Sequence, residues 1–527
     1  MTNLATPRFL LNGDTAVSAV FGDSISEEVN QTIRAFQLLL TERKVPGIVE
    51  TVPTYCSLMI HYDPDRISCD RLLGTLKELA ASIDTAALPP SEVLEIPVLY
   101  GGEMGPDLAH VAENAGISEE EVVKRHSAPE YLIYMLGFTP GFTYLGGLDP
   151  SIETPRLKTP RVSIPAGGHR GQTDRHLPDC LAGRLAAHRK NPGPHVRSAA
   201  RDPDFAARRP VHSLFPDQRG RVPENRSGNR SGQLPPQHTQ ARGGQGMSIQ
   251  VITPGALTTV QDLGRIGYQA FGVPVSGAMD PRALRLANIL CGNPENEAAL
   301  ECTLLGPALR FTADNVIGLT GGDLGATLDG QPLAPYGAYA VKSGQTLRFT
   351  APKTGCRAYL AFHGGLDIPL VMGSRSTYLK AKLGGFCGRK LEKDDEIAFR
   401  APAATIPNLD ARRFTPEFVK RDIYTLRVVL GPQDDAFTAE GLKSFLSEVY
   451  TVTPEFDRMG CRLTGAAISH KDGADIISDG IAFGAIQVPA SGEPIIMLAD
   501  RQTTGGYTKI ANVISADFRL LAQIKAN

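Results

Sequence analysis

The alternation of apolar and polar positions divides this chain into stretches of different rhythm. Val29, Ile33, Phe36 and Leu40 recur at helical spacing behind Ser24 and Glu27, which match a capping box, so a helix is expected to run to about Arg43. A strand is expected around Thr54 to Tyr62, and Leu72, Leu73, Leu76 and Leu79 mark one face of a second helix. Residues 1–92 therefore read as a small α/β domain. Residues 93–167 follow with a strand over Leu94 to Tyr100, a helical stretch through His110 and Val122, and an apolar strand Tyr131 to Leu136. That strand runs into Gly137-Phe138-Thr139-Pro140-Gly141-Phe142-Thr143-Tyr144, a rigid loop whose rings wall a pocket or simply line a structural turn.

Met247 opens a fresh domain, 247–422. Ile249 to Ile252 and Leu257 to Val260 read as strands, and Pro281 to Cys291 as a helix with Asp280 as N-cap and Pro281 in the first turn. Between Ala299 and Phe399 short strands alternate with glycine turns in a barrel-like rhythm: Val316 to Leu319, Tyr339 to Val341, Leu347 to Phe349, Ala358 to Phe362. Residues 400–422 read as a connector. Residues 423–527 begin with strand Leu426 to Leu430 and a helix around Thr438 to Leu446, and end with strands Gly484 to Ala490 and Pro494 to Ala499. The order of strand, helix, polar turn and Val488-Pro489-Ala490 echoes 94–167, where Ile164-Pro165-Ala166 stands in the matching place, so the chain carries an internal repeat. The expected class is α+β, mainly β.

Residues 168–246 break this pattern. They are crowded with Arg, Pro, Gly and His, including His169, His176, His188, His195, His212 and His238, hold one lysine, Lys190, and show neither helical nor strand period. A basic nucleic-acid-binding or metal-binding linker has this composition. The genetic code offers a simpler account. Back-translation with GC-rich codons and a shift of one base turns Gly168 to Pro192 into approximately GIAGRQTGIYPIASPGGWRLIGKTP, which restores an alternating pattern and supplies an RQT partner for Arg501-Gln502-Thr503. Two adjacent reading frames fused by a frameshift explain the stretch, which is expected to be poorly packed because it offers little apolar surface against its ordering entropy.

Composition changes the picture little. Of 527 residues 42% are hydrophobic, enough for several cores, and a net charge of -2 gives no electrostatic reason to invoke nucleic acid or an anionic membrane. No apolar run is long enough to span a bilayer, and the first ten residues lack the pattern of a signal peptide. The eight cysteines are scattered without CxxC pairs, so no metal site is indicated and a soluble cytoplasmic protein is expected.

The richest stretch is Asp500-Arg501-Gln502-Thr503-Thr504-Gly505-Gly506-Tyr507, polar groups at a strand end beside glycines that let a ligand reach the backbone; a polar β-turn reads the same. Three more glycine-flanked clusters precede it, at Thr320 to Asp323, His363 to Gly365 and Gly373 to Thr377, and a fourth spans Gly384 to Arg389. Arg375 and Arg389 are fork donors suited to carboxylate or phosphate.

The string Leu136 to Leu148 with Ile164 to Gly167 resembles the first subunit of the allophanate hydrolase-like family, which includes the B-type subunit of 5-oxoprolinase and a sporulation kinase inhibitor. Residues 247–527, through QDLGR, LTGGD, GSRST, GGFCGR, GPQDD, DRMGCRL and DRQTTGGY, resemble its partner, the C-type subunit of 5-oxoprolinase or allophanate hydrolase subunit 2. The resemblance implies cyclophilin-like β-barrels, one incomplete at 93–167 and two in tandem at 247–422 and 423–527. It also implies a complex with a third 5-oxoprolinase subunit that opens 5-oxo-L-proline to L-glutamate with ATP, and magnesium beside the nucleotide. Activation of a stable lactam then asks for bases or metal-bridging carboxylates at Asp323, Asp434, Asp457 or Asp500, with His363 a further candidate. It asks for anion donors at Arg265, Arg375, Arg389, Arg458 or Arg501, and amides at Gln433, Gln487 or Gln502 to orient the lactam, with Phe138 and Tyr144 as walls. There is no Walker string, which leaves ATP to resemblance or to the third subunit. Two alternatives are a carboxyltransferase module of a urea carboxylase working with a biotin carboxylase, and a regulator that binds a histidine kinase. The family's closing strands of the first barrel are absent as written, so that barrel is expected to be incomplete.

Overall fold

The computed structural model describes residues 6–89, 91–102, 105–155, 246–415 and 423–526, and the backbone of 195–199. The expectations for the rest of 168–246 lie outside these residues. The architecture is mostly β.

At the N-terminus a four-stranded antiparallel sheet runs in the order Arg8–Leu11, Ala16–Val20, Ser57–Tyr62, Ile48–Pro53. What the sequence suggested as one strand around Thr54 is thus the second arm of a hairpin whose turn holds Thr54. Successive side chains in a strand face opposite ways. Leu58 and Ile60 accordingly join Val17, Ile33, Phe36, Leu72 and Leu76 beneath helices Glu27–Arg43 and Cys69–Ala80. Ala16, Val52 and Met59 face the other way and pack on Ala482, far along the chain. The first helix is capped by Ser26, whose side chain accepts from the Val29 amide, in place of the expected Ser24 and Glu27 box.

A second sheet orders Val93–Pro97, His195–Ala199, Glu130–Leu136 and Thr143–Gly146. Residues 195–199 pair parallel to Val93–Pro97 and antiparallel to Glu130–Leu136, so the composition-biased junction does contribute a strand where none was expected. Between 246 and 415 a five-stranded and a six-stranded sheet enclose a core of Ile249, Leu309, Phe311, Ile317, Leu360 and Phe362. Helix Pro281–Leu290 covers the outer face of the five-stranded sheet through Leu284 and Ala287. It lies so close that a Cβ on Gly318 would meet the Ala287 carbonyl at 2.1 Å. Asp280 caps it as expected, accepting from the Ala283 amide at 2.9 Å. Asp280→Ala is expected to lower stability by about 1 kcal/mol; an unchanged urea midpoint would show that the cap contributes nothing.

The C-terminal unit is a six-stranded sheet plus the two-stranded pair Asp475–Gly480 and Thr504–Tyr507. The end of the DRQTTGGY string is therefore a strand, and only its first residues form a turn. Among the described residues no helix is long and apolar enough to cross a membrane.

Candidate functional site

A cleft of about 420 Å³ opens where the N-terminal sheet meets the C-terminal unit. Thr54, Cys56 and Ser57 line one wall; Gln433, Asp434, Asp435 and strand Asp475–Gly480 through Asp479 line the other, with Arg8 and Asp23 also in the lining. The hairpin turn puts Ser57 on the sheet face turned away from its own helices, toward the C-terminal unit. Its Oγ donates to Asp479 Oδ1 at 2.5 Å and lies 2.8 Å from Thr54 Oγ1. Asp479 Oδ2 accepts from Lys509 Nζ at 2.8 Å, and Lys509 is fully buried. Burial pushes the Asp479 carboxyl up, but the Lys509 ammonium and the hydrogen bonds from Lys509 and Ser57 outweigh it and hold the group below the usual carboxylate range. The Gly431 to Asp435 bend is pressed against the Lys509 strand: a Cβ on Gly431 would stand 2.3 Å from the Lys509 carbonyl, and Gln433 Oε1 accepts the Lys509 amide at 3.2 Å.

Behind the cleft, Asp479 pairs in register with Gly505, and a second network begins. Arg501 Nε donates to the Ile481 carbonyl at 2.8 Å and its Nη2 to Gln269 Oε1 at 3.0 Å. Gln269 Nε2 donates in turn to Glu50 Oε1 at 2.8 Å, while the Gly267 and Gln269 amides hold Oε2 at 3.1 Å. Three distant segments are tied together. Burial pushes Arg501 down to about 10, against the pull of Glu50 and Asp500. It pushes Glu50 up further than its hydrogen bonds and Arg501 pull it down. The aromatic loop joins the same neighbourhood: the Phe138 amide donates to Thr504 Oγ1 at 3.2 Å, Thr504 Oγ1 lies 3.4 Å from the Tyr144 hydroxyl, and the Gly141 amide donates to the Phe271 carbonyl at 3.1 Å. Phe138 is partly exposed with φ of 63°, and Tyr144 is buried beside Tyr55 and Phe142.

Of the candidate residues, the structure therefore gathers Gln433 and Asp434 in the cleft, and Arg501, Phe138 and Tyr144 behind it. Gln487 is buried there with its Nε2 unpartnered among the described residues. The Gln487 and Gln502 amide nitrogens would stand 3.1 and 2.8 Å from a Cβ on Gly505, which keeps that position glycine. The remaining candidates serve internal bonds. Asp500 takes Arg458 Nε and Nη2 at 3.0 and 3.1 Å, and the same guanidinium reaches Glu301 and the Gly277 carbonyl. Arg265, fully buried, holds the GSRST string through the Ser376 carbonyl and the turn before it through the Val371 carbonyl, and burial pushes its pKa down. Arg375 Nε donates to the Ile368 carbonyl and Arg389 forms a two-pronged pair with Asp395 at 2.7 Å. Asp323 and Asp457 cap local turns, accepting from the amides of Gly325 and of Met459 and Gly460. His363 Nδ1 donates to the Cys291 carbonyl at 2.7 Å.

Sequence reasoning missed Ser57, Asp479, Lys509, Glu50, Gln269 and His61. A lysine heading the apolar strand Lys509–Val513 is a signal of a buried partner. Among the described residues no group of three or more His, Cys, Asp or Glu gathers to hold a metal ion.

Residues 7–168 match the model of the carboxyltransferase domain, subdomain C and D, and residues 271–527 that of subdomain A and B. The C-type subunit of 5-oxoprolinase from Haemophilus influenzae is 38% identical over 277 residues, 53% of this chain and 88% of that protein. The B-type subunit of 5-oxoprolinase from Bacillus subtilis is 41% identical over 165 residues, 29% of this chain and 69% of that protein. The urea amidolyase of Saccharomyces cerevisiae is 34% identical over 295 residues, 53% of this chain but 16% of that protein. The crystal structure of TTHA0988 superposes with a TM-score of 0.78 at 30% identity, along 97% of this chain and 98% of that one, so both halves occur there in one chain. The subdomain C and D match stops at residue 168, where the composition breaks.

Proposed function

This chain belongs to the carboxyltransferase-domain family and joins its C/D and A/B types in one polypeptide, and on that premise we propose that it is a component of a cytoplasmic, ATP-dependent 5-oxoprolinase that opens the lactam of 5-oxo-L-proline to L-glutamate with a third subunit. The paired sheets of its two β units are read as cyclophilin-like barrels. The observation that carries the proposal is the cleft, whose walls come one from each subunit type, so that neither part alone provides it. About 420 Å³ is in the range of small-molecule sites. Arg8 suits the ligand's carboxylate, and Asp479, held ionised, suits proton transfer at the amide.

The cleft does not suit ATP. Among the described residues the lining holds Asp23, Asp434, Asp435, Asp479 and one cation, Arg8, with Lys509 already paired, and one guanidinium matches the single carboxylate of 5-oxoproline rather than a triphosphate. The nucleotide and its magnesium are assigned to the third subunit. The match to urea amidolyase supports a second reading, in which the same cleft serves a carboxyltransferase working with a biotin carboxylase.

Full-length protein mixed with the third subunit, ATP and 5-oxoproline is expected to release glutamate, and to stop when ATP is omitted. Absence of glutamate, together with carboxyl transfer from carboxybiotin to urea, would replace the first reading by the second.

A further inference from the structure

We infer that Ser57 and Asp479 form the proton relay of this cleft, with Lys509 as its positioning residue; the inference rests on the lactam-opening reading. Ser57 and Asp479 stand 422 positions apart and belong to the two different subunit types, yet both line the cleft and share a 2.5 Å hydrogen bond. Asp479 accepts from Ser57 at Oδ1 and from Lys509 at Oδ2, so the Ser57 hydroxyl gives a proton in the cleft a hydrogen-bonded path to the carboxylate. Thr54 Oγ1, at 2.8 Å, fixes that hydroxyl from the other side.

The step acts on lactam whose carbonyl oxygen has taken the γ-phosphoryl group of ATP at the third subunit, with release of ADP and a C=N bond left in the ring. A water in the cleft gives a proton to Ser57 Oγ as the Ser57 hydroxyl proton passes to Asp479 Oδ1, the water oxygen bonds to the lactam carbon, and the C=N π pair moves onto nitrogen. When the ring C–N bond breaks, the O–P bond breaks to a second water, its pair re-forms the carbonyl, phosphate leaves, the proton returns from Asp479 through Ser57 to the leaving nitrogen, and both side chains end as they began. Lys509 touches no reactant. The charged groups facing Asp479 are Lys509 from the adjoining strand and Arg8, Asp23, Asp434 and Asp435 in the cleft lining.

The test uses the full-length chain with the third subunit. Ser57→Ala is expected to lower kcat about 100-fold, while the Kd for 5-oxoproline from calorimetry stays within about threefold and Ser57→Thr recovers most of the rate. Lys509→Met leaves burial to push Asp479 upward, so the acid limb of the kcat profile moves to higher pH, which a merely structural latch would not do. A Ser57→Ala enzyme with wild-type kcat, or one whose loss lies wholly in Kd, overturns the relay and leaves the lactam reading standing. If Lys509→Met does not fold, the Ser57 pair of variants decides alone. A wild-type complex that neither binds nor opens 5-oxoproline overturns the functional reading, and the relay with it.

Discussion

Arg458→Met is expected to destabilise the protein by about 3–5 kcal/mol, the range for removing one partner of a buried ionic network. The guanidinium is 4% exposed and sits between Asp500 of the C-terminal unit and Glu301 on a strand of the preceding unit, with a further bond to the Gly277 carbonyl. Glu301 also accepts from the Met279 amide and the Tyr359 hydroxyl. Burial alone would push its carboxyl up, and Arg458 with Arg357 outweighs that and holds it low. Methionine fills much of the volume but leaves Asp500 without its ion-pair partner and Glu301 with Arg357 alone to offset its burial. Adding Glu301→Gln and Asp500→Asn to the variant should restore a large part of the loss, because neutral groups need no counter-charge. Urea unfolding of the single and triple variants reads both effects. A single-variant loss under about 1 kcal/mol, or a triple variant no better than the single, would mean that the seam does not depend on this charge.

The same residue shows what a sequence hides. Arg458, Arg265, Arg375 and Arg389 stand in polar, glycine-rich strings that look like anion sites, and the structure spends each of them on carboxylates or carbonyls of the chain itself. Composition cannot separate a guanidinium facing a ligand from one satisfied inside, because both need the same neighbours. Local features were legible: the 29, 33, 36, 40 spacing gave its helix, and Asp280 before Pro281 gave its cap, since both depend on neighbours a few positions away. The cleft was not, since Ser57 with Asp479 and Glu50 with Gln269 become neighbours only after the two parts dock. Strand Ser57–Tyr62 held a clue: Leu58, Met59 and Ile60 put apolar side chains on both faces, which a one-sided surface sheet does not require.

His61 lies on the docked face, and its behaviour with pH provides the second large effect. Its Nε2 is buried without a hydrogen-bond partner, and burial, reinforced by the nearby Arg501 guanidinium, lowers its pKa to about 3. The ring is therefore neutral in the folded protein while the unfolded chain takes up a proton near 6.5. A depressed histidine pKa means that the unfolded state binds more protons through this window, so stability is present above about 6.5 and is lost as the pH falls toward 3. The full gap corresponds to about 5 kcal/mol at about 1.4 kcal/mol per pH unit; part of the residue keeps contact with solvent, which reduces the expected loss to about 2–3 kcal/mol. Glu50 works in the opposite sense, because its raised pKa favours the folded state as acid is added. His61→Gln leaves that opposing effect in place, so the difference between wild type and variant isolates the imidazole. Denaturant midpoints measured from pH 8 to pH 4 should show the wild type losing stability faster than His61→Gln, with most of the divergence below 6.5. Parallel curves would show that the imidazole protonates inside the fold as easily as outside it, and that the seam between the two parts opens to water at His61.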